Sequence, residues 1–143
     1  MDNISYDFID VEIPDFNPEF FSLWLNKVAA ANDSSIDWIS YVFCSDEYLR
    51  AMNREHLNHD YYTDIITFPF NEKVSLQGDV FISYERVVDN ASGYGDGDTF
   101  NELCRVMVHG LLHLLGFGDK TRDETLKMRA KEEESLKLRG GFT

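Results

Sequence analysis

Three residues in the stretch His109-Gly-Leu-Leu-His113-Leu-Leu-Gly116-Phe-Gly-Asp119 have the types and spacing of metal ligands. Two histidines four residues apart share one face of a helix, with Cβ atoms about 5 to 6 Å apart, so both imidazoles can reach one ion. Gly116 can adopt the left-handed conformation that ends a helix and turns the chain back, which brings the Asp119 carboxylate towards the imidazoles. Two imidazoles and a carboxylate match a catalytic zinc site with three protein ligands and a fourth position for water. Water bound there is acidified towards a pKa of about 7 and becomes a nucleophile at neutral pH. The same donors also describe the facial triad of non-haem iron enzymes, so ligand type alone does not name the metal.

The H-x-x-x-H-x-x-G-x-x-[HD] spacing also occurs in zinc peptidases of the metzincin kind, which place Glu directly after the first His as general base. Here that position is Gly110. A zinc peptidase is therefore the weaker reading.

The elements that must carry these ligands can be read from pattern. Ile4 to Val11 alternates as an edge strand. Asn17 caps and Pro18 starts a helix to about Ala31, with Phe20, Phe21, Leu23, Trp24, Leu25 and Val28 as its apolar face. Ile36 to Phe43 is β-branched and aromatic, a strand, and Ser45 or Asp46 opens a helix towards His56. Asp64 to Phe70 reads as a strand ended by Pro69, able to pair as a hairpin with Gly78 to Ser83. A helix from Tyr84 to about Ala91 and a Gly/Asp-rich loop, Ser92 to Asp98, follow. That loop lacks both the ending of a phosphate-binding loop and the spaced acids of a calcium-binding hand. Thr99 with Glu102, and Thr121 with Glu124, form capping-box patterns for two last helices, the first running to Leu115 and carrying both histidines. Four strands mixed with helices give an α+β class, read as one domain over residues 1–143.

Composition narrows the partners. The 143 residues carry a net charge of −13, with eight acids and one lysine in the first forty residues and seven of thirteen basic residues between Lys120 and Arg139. In that basic stretch Glu132, Glu133 and Glu134 interleave with the cations, as on a solvated helix. So acidic a chain binds bulk nucleic acid poorly, because non-specific affinity comes from neutralising phosphates. DNA and membranes are not expected partners, and any RNA must be recognised locally. Cys44 and Cys104 read as buried thiols of a reducing compartment, neither bridged nor ligating. No basic, apolar leader opens the sequence, so a cytoplasmic location is expected.

The segment from His109 to Phe117 resembles the HGxLHLxGY signature of the YbeY family of metal-dependent endoribonucleases. The likeness extends upstream, where Asp60 to Phe70 is similar to the DxxTDVLSFPF strand, Gly78 to Ser83 to GDIxIS, and Ser45 to Glu55 to the helix ending in LNxxyR. The resemblance implies a small mixed four-stranded sheet flanked by helices, and one divalent metal per chain, zinc by preference. It also implies hydrolysis of single-stranded RNA in 16S rRNA 3′-end maturation and ribosome quality control, with the small ribosomal subunit and a ribosome-assembly GTPase as partners. The family usually has a third His where Asp119 stands, and an Arg that engages phosphate where Leu57 stands. Leucine replaces neither charge nor donors. His59 is a candidate for a hydrogen bond or proton transfer and Lys120 for a contact to a phosphate oxygen, and Asp64 and Asp79 are read as strand caps rather than ligands of a second metal. Without the Arg, a non-catalytic ribosome-biogenesis factor with a structural metal is the main alternative.

Overall fold

A computed structural model describes residues 3–57, 64–70, 75–93 and 97–140, apart from the side chains of His56 and Leu57. The chain order is β1 (Ile4–Ile9), α1 (Pro18–Ala31), β2 (Ser35–Cys44), α2 (Asp46–Leu57), β3 (Ile65–Pro69), β4 (Ser75–Ser83), α3 (Tyr84–Gly93), α4 (Thr99–Leu114) and α5 (Arg122–Lys137). The four strands form one mixed sheet in the order β1-β2-β4-β3. β1 and β4 flank β2 in parallel, and β3 runs antiparallel to β4 with Ile65 opposite Ile82 and Pro69 opposite Gly78. This is the α+β class expected, with the hairpin between β3 and β4 and β1 at an edge.

Local chemistry explains the boundaries. Asn17 accepts a hydrogen bond from the Phe20 amide (3.1 Å) ahead of Pro18, a side-chain cap followed by a residue whose missing N–H costs nothing there. β1 stops at Ile9 rather than Val11 because Asp10 turns the chain at φ 61°. Leu23, read as part of the apolar face of α1, is instead 51% exposed, while Phe20, Phe21, Trp24, Leu25 and Val28 are buried. A second correction concerns α4. Its cap is Asp98, which accepts from the Asn101 amide (3.0 Å), so the box expected at Thr99 and Glu102 does not form. Asp98 offers a charged acceptor one residue earlier, and Glu102 is drawn to Arg105 instead.

Alternation along β4 buries Leu76, Val80 and Ile82 against α1 and α4, while Phe81 packs on the other face with Phe68, Ile66, Leu49 and Cys44. α4 lies unusually close to the sheet. A Cβ at Gly110 would stand 2.8 Å from Val80 Cγ1 and 3.0 Å from Ile65 Cδ1, and one at Gly78 would stand 2.7 Å from Leu114 Cδ2. The Tyr41 hydroxyl on β2 donates to the Met107 carbonyl (2.8 Å), fixing the helix along its axis. Cys44 and Cys104 are buried free thiols, as expected.

Candidate metal centre

Burial of one face of α4 leaves a second, polar stripe. Glu102, Arg105, His109 and His113 recur at helical spacing, and the two imidazoles stand edge to face with centroids 4.6 Å apart. After Leu114 the helix closes by two hydrogen bonds, Phe117 N to the Leu112 carbonyl and Gly116 N to the His113 carbonyl (both 3.0 Å), with Gly116 at φ 106°. That pattern is the αL helix stop anticipated from the glycine. The next turn is pinned by α5. Thr121 caps the Glu124 amide (3.1 Å), Glu124 accepts from the Thr121 amide (3.2 Å) and the Lys120 amide (3.0 Å), and Thr125 Oγ1 donates to the Asp119 carbonyl (3.1 Å).

The result is a triangle of donor atoms. His113 Nε2 lies 3.0 Å from His109 Nε2 and 3.2 Å from Asp119 Oδ2, and His109 Nε2 lies 3.3 Å from the same oxygen. Tetrahedral bonds of about 2.0 to 2.1 Å place ligand atoms about 3.3 to 3.4 Å apart, so the triangle fits one face of a zinc-sized coordination sphere. The chemistry of the donors agrees. Glu132 Oε2 accepts from His109 Nδ1 at 2.7 Å, which puts the ring proton on Nδ1 and leaves the Nε2 lone pair facing the other two atoms. Three electron-rich atoms this close repel one another unless a proton or cation lies among them. The residues present therefore fit a divalent metal.

Glu132 went unseen in the sequence, where it reads as one acid of a solvated run. It is 2% exposed. Its second oxygen accepts from Arg105 Nη1 (3.2 Å), and Arg105 also binds Glu102, through Nε to Oε1 at 3.0 Å and through Nη2 to Oε2. Burial works to raise the Glu132 carboxyl, but the hydrogen bond and charge of His109, followed by those of Arg105, hold it below the ordinary range. A carboxylate behind a ligating histidine fixes its tautomer and ring orientation. The polar stripe on an otherwise apolar helix was the available signal for Glu102 and Arg105. Nothing local distinguishes Glu132 from Glu133, because its partner stands 23 residues away.

A cleft of about 310 Å³ opens beside the triangle, with Asp64, Arg105, His109, Asp119, Thr125, Arg129 and Glu132 in its wall. Lys120 is exposed and is not part of that wall. Asp64, which also lines the cleft, uses its carbonyl to accept from Ser83 N (2.9 Å), a strand-end contact. The Asp79 carboxyl is pushed up by burial. His59 and the Leu57 side chain lie outside the described residues.

Fold and site together define an α+β protein whose most buried helix presents two histidines which, with one carboxylate, could hold a metal ion at an open cleft. Comparison with known proteins places it further. The sequence model described as Endoribonuclease YbeY matches residues 9–140, and the chain belongs to that family of RNA-cleaving enzymes. It is 55% identical over 117 residues to the Endoribonuclease YbeY of Cytophaga hutchinsonii, covering 81% of each chain. It is 42% identical over 135 residues to that of Phocaeicola vulgatus, covering 94% of this chain and 97% of the relative. The fold is shared with the solution structure of TM1509 from Thermotoga maritima, at TM-score 0.69 and 19% identity over 95% of this chain and 89% of that one.

Proposed function

We propose that the chain is a metal-dependent endoribonuclease that hydrolyses phosphodiester bonds of single-stranded RNA, with His109, His113 and Asp119 as ligands of one zinc ion. The observation that carries this reading is the convergence of two Nε2 atoms and one carboxylate oxygen at 3.0, 3.2 and 3.3 Å beside an open cleft, in a member of an endoribonuclease family. A divalent ion held by three protein donors supplies Lewis acidity towards a phosphoryl oxygen and towards water at its remaining position. The chain's own groups prepare the rest. Glu132 keeps the His109 proton on Nδ1, Arg105 braces Glu132, and Asp119 carries the donor oxygen on the solvent side of the triangle.

Peptidase chemistry finds no support in the same geometry. The position that would hold a general-base glutamate is Gly110, where even a Cβ meets Val80 and Ile65. The finer biological reading is 16S rRNA 3′-end maturation and ribosome quality control in the cytoplasm, acting at the small ribosomal subunit alongside a ribosome-assembly GTPase. Its support is the family resemblance. The charge of −13 adds that RNA must be presented locally rather than gathered by a basic surface.

Metal analysis and cleavage of a labelled single-stranded rRNA fragment test the proposal together. Wild-type protein should hold one metal per chain and cut the fragment, whereas His113→Ala should lose the metal and more than about 100-fold in rate, beyond the loss typical of a residue behind the ligands. Metal-loaded wild type that leaves the RNA intact would defeat it. A chelator that lowers the melting temperature of such an inactive protein would point to an ion that only orders α5 against α4.

A further inference from the structure

Thr125, Met128, Arg129 and Glu132 recur at helical spacing on α5, and all four face the cleft beside the metal ligands. Met128 is buried and Glu132 and Thr125 are committed, the first to His109 Nδ1 (2.7 Å) and the second to the Asp119 carbonyl (3.1 Å). Arg129 stands between them, one turn from each, so its Cβ lies about 5 to 6 Å from two residues that touch metal ligands. The helix is thereby registered on the site from both sides of this arginine.

The two arginines of the cleft differ in their obligations. Arg105 is spent on Glu102 and Glu132. Arg129 is exposed and, among the described residues, forms no ion pair or hydrogen bond, although Asp64, Asp119 and Glu132 line the same cleft. A guanidinium carries its charge at every physiological pH and presents a planar fork that matches two phosphate oxygens. In a protein of charge −13, this is the cleft cation left available to an anion.

From these observations we infer that Arg129 binds a backbone phosphate of the RNA strand beside the metal centre, so that the strand is held by a protein cation as well as by the site itself. The inference rests on the endoribonuclease reading above. It assigns Arg129 to substrate binding and not to metal binding.

Fluorescence anisotropy of a short labelled, non-hydrolysable single-stranded RNA analogue, titrated with metal-loaded full-length protein, separates the possibilities. Arg129→Gln should weaken binding about tenfold, as expected for a charge-assisted contact. The slope of log affinity against log salt should become shallower by about 0.7, the value of one phosphate contact on a single strand. Arg129→Lys should keep that slope and lose only about threefold, because it retains the charge without the fork. Zinc stoichiometry and melting temperature should match wild type in both variants. Unchanged affinity and slope in Arg129→Gln, with wild type still cleaving RNA, would overturn the inference and leave the proposed activity standing. Wild type that neither binds nor cleaves would overturn both.

Discussion

α4 and α5 contribute to one site by opposite means. α4 is held by what it hides: Leu103, Cys104, Met107, Val108, Leu111 and Leu112 are buried, and Gly110 lets its backbone settle on Val80 and Ile65. α5 hides little beyond Met128, Glu132, Ser135 and Leu136. Its hold is directional, through the Trp24 indole N–H on the Ser135 carbonyl (2.9 Å), the capping box at Thr121, and Glu132 on His109 and Arg105. Apolar burial supplies most of the free energy but has no direction, whereas a hydrogen bond nets only about 1 kcal/mol and is strongly directional. Packing thus decides where the imidazoles stand. Polar contacts from the second helix decide which ring nitrogen faces the donor triangle.

Removing the carboxylate should break that division of labour most severely. Glu132→Ala removes one of the two carboxylates paired with the partly buried Arg105 guanidinium and frees His109 to change tautomer. Losing one member of a buried ion pair costs about 3 to 5 kcal/mol, and losing the partner behind a ligand costs about 10- to 100-fold in metal affinity. Arg105 keeps Glu102, so the lower end of the stability range is expected. Urea unfolding and zinc titration would measure both. Glu133→Ala, one residue along on the exposed side, should stay within about 0.5 kcal/mol of wild type. Equal effects from the two would erase the distinction between the helices.

The same contrast explains what the sequence disclosed. The α4 ligands were legible because helical spacing, a glycine stop and an acid three residues later all act within eleven residues, and the observed triangle follows from them. The caps at Asn17 and Thr121 and the β3–β4 hairpin were legible for the same local reason. Glu132 was hidden because its burial depends on α5 packing over α4, and sequence alone gives a charged run no reason to single out one glutamate. The parallel pairing of β1, β2 and β4 is likewise a long-range outcome. The α4 cap shifted to Asp98 because two adjacent residues could both cap and only one could win.

A test aimed at packing should have a smaller effect on stability. Gly110→Ala gains about 1 kcal/mol of helix propensity, but its methyl would press on Val80, whose branched side chain has little freedom to retreat. Overpacking of a core costs about 1 to 3 kcal/mol, so a net loss of about 1 kcal/mol is expected, with weaker zinc binding as α4 lifts from β4. At Gly93, at the end of α3, nothing among the described residues lies within 4 Å of an added Cβ. Gly93→Ala should therefore leave zinc affinity unchanged. If Gly110→Ala lowers stability without touching zinc affinity, packing does not set the position of the imidazoles.

The last effect is absent at neutral pH and concerns two thiols that packing buries, Cys104 on α4 and Cys44 at the end of β2. Burial pushes the Cys104 thiol up to about 11, against the lesser opposing influence of Arg139, and burial with the nearby charges of Asp46 and Glu85 pushes Cys44 up to about 12. A folded-state pKa above the unfolded one means that the unfolded chain ionises first. The stability these thiols contribute is complete below the unfolded value of about 8.5 and is lost as pH rises towards the folded values. Each should cost at most about 1.4 kcal/mol per pH unit in that window. Urea unfolding at a series of pH values would show the decline, and Cys104→Ala should roughly halve its slope up to about pH 11, leaving the share due to Cys44. Because α5 holds by polar contacts elsewhere, Glu132→Ala should lower the whole curve without changing its alkaline slope. A change in that slope would mean that the α5 contacts govern the burial of Cys104, and so that the two helices pack as one unit and not by separate means.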